Sequence, residues 1–153
     1  MSLHEQQAAK ILVVDDEPRM CESLRFLLEK QDFSVSTALT GTNALQWIAK
    51  EHFDVAVLDV GLPDINGIQV MEYIKSSGHD TSFVVITGNA TLDSAVSALR
   101  NGAFDYLKKP FEYDQLLNTI QNILDQKKLR HENHEITGRL AESEERYRYL
   151  VKN

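Results

Sequence analysis

Val55-Ala56-Val57-Leu58-Asp59 is an apolar run that stops on a carboxylate. Four consecutive apolar residues without polar alternation read as a strand buried on both faces, the habit of parallel sheets. Outward from it, Ile11-Leu12-Val13-Val14 stops on Asp15-Asp16, and Phe83-Val84-Val85-Ile86 stops on Thr87. Tyr106-Leu107 leads into Lys108-Lys109-Pro110, and a weaker strand covers Val35 to Ala38. In open parallel α/β sheets, ligands bind outside the carboxyl ends of the strands. Acid, acid, hydroxyl and amine at such ends describe one polar pocket on one rim, suited to Mg²⁺ and a phosphoryl group.

Helical-period segments separate the strands. The first carries Met20, Leu24, Leu27 and Leu28; the second, Asn43 to Lys50, carries Ala44, Leu45 and Ile48. A loop marked by Gly and Pro runs from Gly61 to Gly67, followed by a helix bearing Ile68, Met71 and Ile74. Leu92, Ala95, Val96 and Leu99 make the next helix, with Gly102 placed to cap its end. The last helix carries Leu116, Leu117, Ile120, Ile123 and Leu124. Five βα units in series predict an α/β fold with a five-stranded parallel sheet and helices on both faces. Right-handed crossovers favour the flavodoxin-like order 2-1-3-4-5. Its switch point lies between strands 1 and 3, which deliver Asp15, Asp16 and Asp59.

The length of 153 residues fits one domain plus an extension. A net charge of -7 argues against a nucleic-acid groove, since such surfaces are basic. The single cysteine, Cys21, excludes an internal disulfide, fits a reducing compartment and falls in an apolar helical pattern, as a core or boundary residue does. No apolar run approaches the roughly 20 residues that span a bilayer. Residues 1–9 have no apolar signal region and read as a loose arm. The expected setting is cytoplasmic, with a globular domain over 10–126.

Residues 127–153 change character, with no strand run and many Glu, Arg, Lys and His. In heptads, Leu129, Asn133, Ile136, Leu140, Ser143, Tyr147 and Leu150 fall on one seam, interrupted by Gly138. This predicts a helical, coiled-coil linker that pairs two copies weakly, inside a longer protein.

Mg²⁺ prefers oxygen ligands and keeps several waters, so Asp15, Asp16 and Asp59 supply the carboxylates it needs. Without a cation the three would repel one another. A phosphoryl group on Asp59 would have its oxygens met by Mg²⁺, Lys109 and the Thr87 hydroxyl. Each acid alone is as well read as a helix N-cap; the whole set is not. The five histidines, His4, His52, His79, His131 and His134, form no ligand cluster with the acids, and Trp47 reads as a packing residue.

Residues 10 to about 126 resemble a receiver domain of bacterial two-component response regulators. The residues that carry this are Asp15-Asp16-Glu17, the stretch Asp59-Val60-Gly61-Leu62-Pro63-Asp64-Ile65-Asn66-Gly67, Thr87-Gly88, and Tyr106-Leu107-Lys108-Lys109-Pro110-Phe111. The resemblance implies that Asp59 is the phosphoacceptor, taking its phosphoryl group from a phosphohistidine on a histidine kinase or phosphotransfer protein. It implies that Asp16 binds Mg²⁺ directly, Asp15 chiefly through water, and Gly61 through its backbone carbonyl. Thr87 and Lys109 would hold phosphoryl oxygens, and Lys109-Pro110 would be a cis peptide. Thr87 and Tyr106 would form a switch that reshapes the surface of the fourth helix, fifth strand and fifth helix. Such a protein is a signalling phosphoacceptor that catalyses only its own phosphorylation and dephosphorylation. The stretch from Glu142 to Val151 resembles the lead-in to a PAS sensory domain.

Three other readings fit less well. A phosphatase of the haloacid-dehalogenase type needs an Asp-x-Asp signature, but Val60 and Gly61 follow Asp59. A flavodoxin needs a Ser/Thr/Gly-rich phosphate loop where this chain has Asp-Asp-Glu-Pro. A purely structural dimer module has no use for an intact set of acids, hydroxyl and amine.

Overall fold

Each apolar run becomes a strand: β1 (Lys10–Val14), β2 (Ser34–Ala38), β3 (Val55–Asp59), β4 (Ser82–Thr87) and β5 (Asp105–Lys108). The structure, a computed structural model, describes residues 8–65, 67–88, 92–100 and 102–130. All strand pairs are parallel and the order is β2-β1-β3-β4-β5, the flavodoxin-like order that the sequence predicts. Between the strands lie α1 (Pro18–Glu29), α2 (Gly41–Lys50), α3 (Gly67–Ser76) and α4 (Leu92–Arg100). The chain divides into two compact units, Met1–Ile120 and Gln121–Asn153. A last helix, α5, occupies 113–120 of the first unit, and residues 121–130 of the second are also helical.

Alternation along the strands sends successive side chains to opposite faces. Leu12, Val14, Ala56, Leu58, Phe83 and Val85 join residues of α2, α3 and α4 in one core. Ile11, Val13, Val55, Val57, Val84 and Ile86 point the other way and are also buried. Cys21, Leu24 and Leu28 of α1 and Leu116, Thr119 and Ile120 of α5 are buried outside the first core. Burial on both faces explains why the strands read as unbroken apolar runs.

Local chemistry sets the ends of the helices. Pro18 opens α1, where a missing N–H costs nothing. Gly102, at φ +98°, follows α4 and donates its N–H to the Leu99 carbonyl at 3.1 Å, while Ala103 N–H reaches the Ala98 carbonyl at 3.1 Å. The cap expected at Gly102 is therefore present. One expectation shifts in α4. Ala98 is buried, whereas Val96 and Leu99, part of the apolar stripe read from the sequence, are 38% and 49% exposed. Trp47 packs edge-on against Phe53 and donates its indole N–H to the Thr37 carbonyl at 3.1 Å, as a packing residue should.

Most of the predicted seam, from Asn133 onward, and the PAS-like stretch lie outside the described residues. Leu129, the first seam position, is helical and 56% exposed. Among the described residues no helix is long and apolar enough to cross a membrane.

Candidate functional site

Register brings the polar strand ends to one rim. Val14 pairs with Leu58, Asp59 with Ile86, and Thr87 with Lys108, so Asp15, Asp59, Thr87 and Lys109 follow from adjacent strands. Carboxylate oxygens of Asp15, Asp16 and Asp59 lie within 4.8 Å of one another. Asp15 and Asp59 are buried, and Asp16 is exposed. Burial of two acids is costly unless their oxygens are met by donors.

Donors meet them from three directions. The Glu17 N–H donates to Asp15 Oδ1 at 2.9 Å, and the Gly61 N–H donates to Asp59 Oδ1 at 2.9 Å. Lys109 Nζ donates to Asp15 Oδ2 at 2.8 Å and to Asp59 Oδ2 at 3.3 Å. Burial pulls the Lys109 pKa down, but the hydrogen bond and charge of Asp15, joined by Asp59, outweigh it, so the net direction is upward. The sequence leads one to expect repulsion among the acids to be relieved mainly by a metal; in the structure the Lys109 ammonium also sits against two of the three.

The backbone of Lys109 is tied to the neighbouring strand. The Lys109 N–H donates to the Thr87 carbonyl at 2.8 Å, and the Lys109–Pro110 peptide is cis. Thr87 is buried at the end of β4. Tyr106 is half-buried and packs against the core on the face shared with α2, α3 and α4. Lys108 is exposed, and its strand parity is opposite to that of Lys109. Cys21 lies beneath the acids, its Sγ 3.4 Å from the Asp15 carbonyl. Burial and then the charge of Asp15 push its thiol up to about 11, so it is protonated and inert at neutral pH.

The loop after β3 passes close to the acids. A side chain on Gly67 would place its Cβ 2.8 Å from the Asp59 carbonyl oxygen and 3.2 Å from Val60 Cα, so only glycine lets α3 start here. The loop tip reaches α2. Asp64 Oδ1 accepts the Gly41 N–H at 2.8 Å, while Oδ2 accepts the Thr42 N–H at 2.9 Å and the Thr42 hydroxyl. The Thr42 hydroxyl first, then the Thr42 N–H, hold the Asp64 carboxyl well below the usual range. Sequence reading passed over Asp64, because its partners lie 22 and 23 positions away and no local pattern marks them.

Comparisons agree with this geometry. A family model for the response regulator receiver domain matches residues 11–121. Response regulator MprA of Mycobacterium ulcerans (strain Agy99) is 38% identical over 122 residues, 80% of this chain and 53% of that protein. The chain thus spans about half the length of the curated relatives it matches. A CheY-like response regulator receiver domain protein from Methanospirillum hungatei JF-1 superposes with a TM-score of 0.78 at 31% identity, covering 81% of this chain and 99% of that one. A response regulator protein from Burkholderia pseudomallei, solved with a phosphorylated aspartic acid, calcium ion and citrate, gives a TM-score of 0.70 at 27% identity, covering 80% and 72%.

Proposed function

The chain belongs to the family of response regulator receiver domains, and on that premise we propose that Asp59 is its phosphoacceptor and that Asp15, Asp16 and Asp59 hold Mg²⁺. The observation that carries the reading is the gathering of three carboxylates within 4.8 Å of one another, two of them on one ammonium, at the carboxyl ends of β1, β3 and β5. Asp16 is the exposed member and offers the direct ligand. Asp15 already spends both oxygens on Glu17 and Lys109, which suits contact through water. Gly61, whose N–H donates to Asp59 Oδ1 at 2.9 Å, can offer its carbonyl. When bound, Mg²⁺ supplies positive charge opposite the equatorial phosphoryl oxygens.

In the transfer, an Asp59 oxygen bonds to phosphorus as the bond from phosphorus to the donor imidazole breaks. The bonding pair leaves on that nitrogen. Lys109 then exchanges a carboxylate oxygen for a phosphoryl oxygen, and the Thr87 hydroxyl donates to another. Movement of Thr87 toward the phosphoryl group frees space for Tyr106 on the neighbouring strand, and together they switch the α4–β5–α5 surface. The half-buried ring of Tyr106 supports this role. The donor is a histidine kinase or phosphotransfer protein, and the chain catalyses only its own phosphorylation and dephosphorylation.

We place this chemistry in the cytoplasm, in keeping with a lone, buried, free cysteine. Residues 127–153 pair two copies weakly, a reading supported by exposed Leu129. Equilibrium sedimentation of the chain against a truncation after Gln126 tests the pairing, and a monomer in both removes it. For the acceptor, acetyl phosphate with Mg²⁺ adds one phosphoryl mass that hydroxylamine removes, and Asp59→Asn abolishes it. Normal labelling of that variant overturns the assignment.

A further inference from the structure

The loop that carries Gly61 is fixed at its base and at its tip. At the base, Val60 N–H donates to the Ile86 carbonyl at 3.2 Å and Gly67 N–H to the Val60 carbonyl at 3.4 Å. At the tip, Ile65 packs where a side chain on Gly41 would be, its Cγ1 only 2.1 Å from the position of that Cβ. Beside it, Asp64 takes three hydrogen bonds from the first two residues of α2, although it is itself exposed. An exposed acid gains little from a single partner in water. Three donors, at a helix end whose dipole favours a negative charge, hold it much more firmly.

We propose that Asp64 is a positioning residue: by tying the β3–α3 loop to the N-terminus of α2, it fixes the Gly61 backbone beside Asp59 and thereby sets the affinity of the acidic cluster for Mg²⁺. The inference rests on the reading of that cluster as a Mg²⁺ site. Thr40 already caps α2, its Oγ1 accepting the Asn43 N–H at 3.0 Å, so helix capping does not need Asp64. The bonds of Asp64 join two elements; those of Thr40 stay within one. Groups that orient a metal ligand without touching the metal commonly change affinity by about 10- to 100-fold when removed.

The test uses the full chain with Asp64→Ala, Asp64→Asn and Thr42→Val. Calorimetric titration gives the Kd for Mg²⁺, labelling by acetyl phosphate gives the half-saturating Mg²⁺, and melts in chelator give stability without metal. Asp64→Ala should raise the Mg²⁺ Kd about tenfold. Asp64→Asn, which keeps one accepting oxygen, and Thr42→Val, which deletes one donor, should fall between it and the wild type. Labelling at saturating Mg²⁺ should return to the wild-type rate, because the acceptor itself is untouched. A wild-type Kd in Asp64→Ala, with only a lower melting point, makes Asp64 a helix cap and overturns the proposal. Failure of the wild-type chain to bind Mg²⁺ is a different result, removing the site reading and the tether with it.

Discussion

Replacing Lys109 with methionine keeps most of the aliphatic stem and removes the charge between Asp15 and Asp59. Asp15 is fully buried, and Lys109 is 16% exposed in its side chain, so the lost pair is nearly an interior one. Removing one partner of a buried ion pair costs about 3–5 kcal/mol, because the other charge stays buried without compensation. The residual exposure of Lys109 puts the expected loss near the low end, about 3 kcal/mol, or a fall of about 12 °C in Tm for a domain of this size. In chelator, thermal melts by circular dichroism should show that fall. Mg²⁺ should then narrow the gap, since the ion no longer competes with the ammonium for Asp15 and Asp59. A ligand at 100 times its Kd stabilises by about 2.7 kcal/mol, and the gap closes by however much the variant's gain exceeds that of the wild type. Equal melting points for wild type and variant in chelator, with equal gains in Mg²⁺, would refute the role of Lys109 as the cation of the metal-free site.

Asp16→Ala should leave the metal-free protein as stable as the wild type or more so, by up to about 1 kcal/mol, since an exposed like charge is removed; it should lose the Mg²⁺-dependent rise in Tm. Gly67→Ala should lower the urea midpoint by about 1–3 kcal/mol of stability, because its Cβ meets the Asp59 carbonyl and Val60 with no flexible side chain to yield. Cys21, raised from 9.0 to about 11, contributes stability that is complete below pH 9 and lost as pH rises through 11. Lys109, raised above 10.5, acts in the same direction at higher pH, so Lys109→Met should flatten the alkaline end of the profile. At pH 8 iodoacetamide should modify Cys21 only in denaturant, and rapid alkylation of the folded chain would contradict its burial.

The strands were legible because a sheet covered on both faces needs unbroken apolar runs, and those runs end where the register leaves the core. The cluster of polar strand ends was legible for the same reason: Asp59, Thr87 and Asp15 are the first polar residues after such runs. Strand bounds moved by a residue or so, β1 beginning at Lys10 and β4 at Ser82, since a terminal polar residue can continue a ladder without burying itself. The face of α4 was not legible. Its stripe of Val96 and Leu99 obeys helical spacing, yet Ala98 takes the core position and the larger residues face outward. Periodicity finds a helix but does not say which apolar arc its neighbours cover. Nor could any pattern show that Lys109 meets Asp15, or that Asp64 crosses from one loop to another helix. Both depend on pairs distant in the chain.

That distance has a consequence for how the protein comes into being. Lys109 and Asp15 are 94 positions apart, and Lys109 and Asp59 are 50 apart. Contacts between remote positions form late, after the loops between them have been closed at an entropic cost. The acids of β1 and β3 can gather as soon as those two strands align, but their counterion arrives only with β5, an edge strand. In a chain emerging from the ribosome, Asp15, Asp16 and Asp59 are therefore all synthesised before Lys109. If Mg²⁺ binds the three acids as proposed, it would also shield them during that interval.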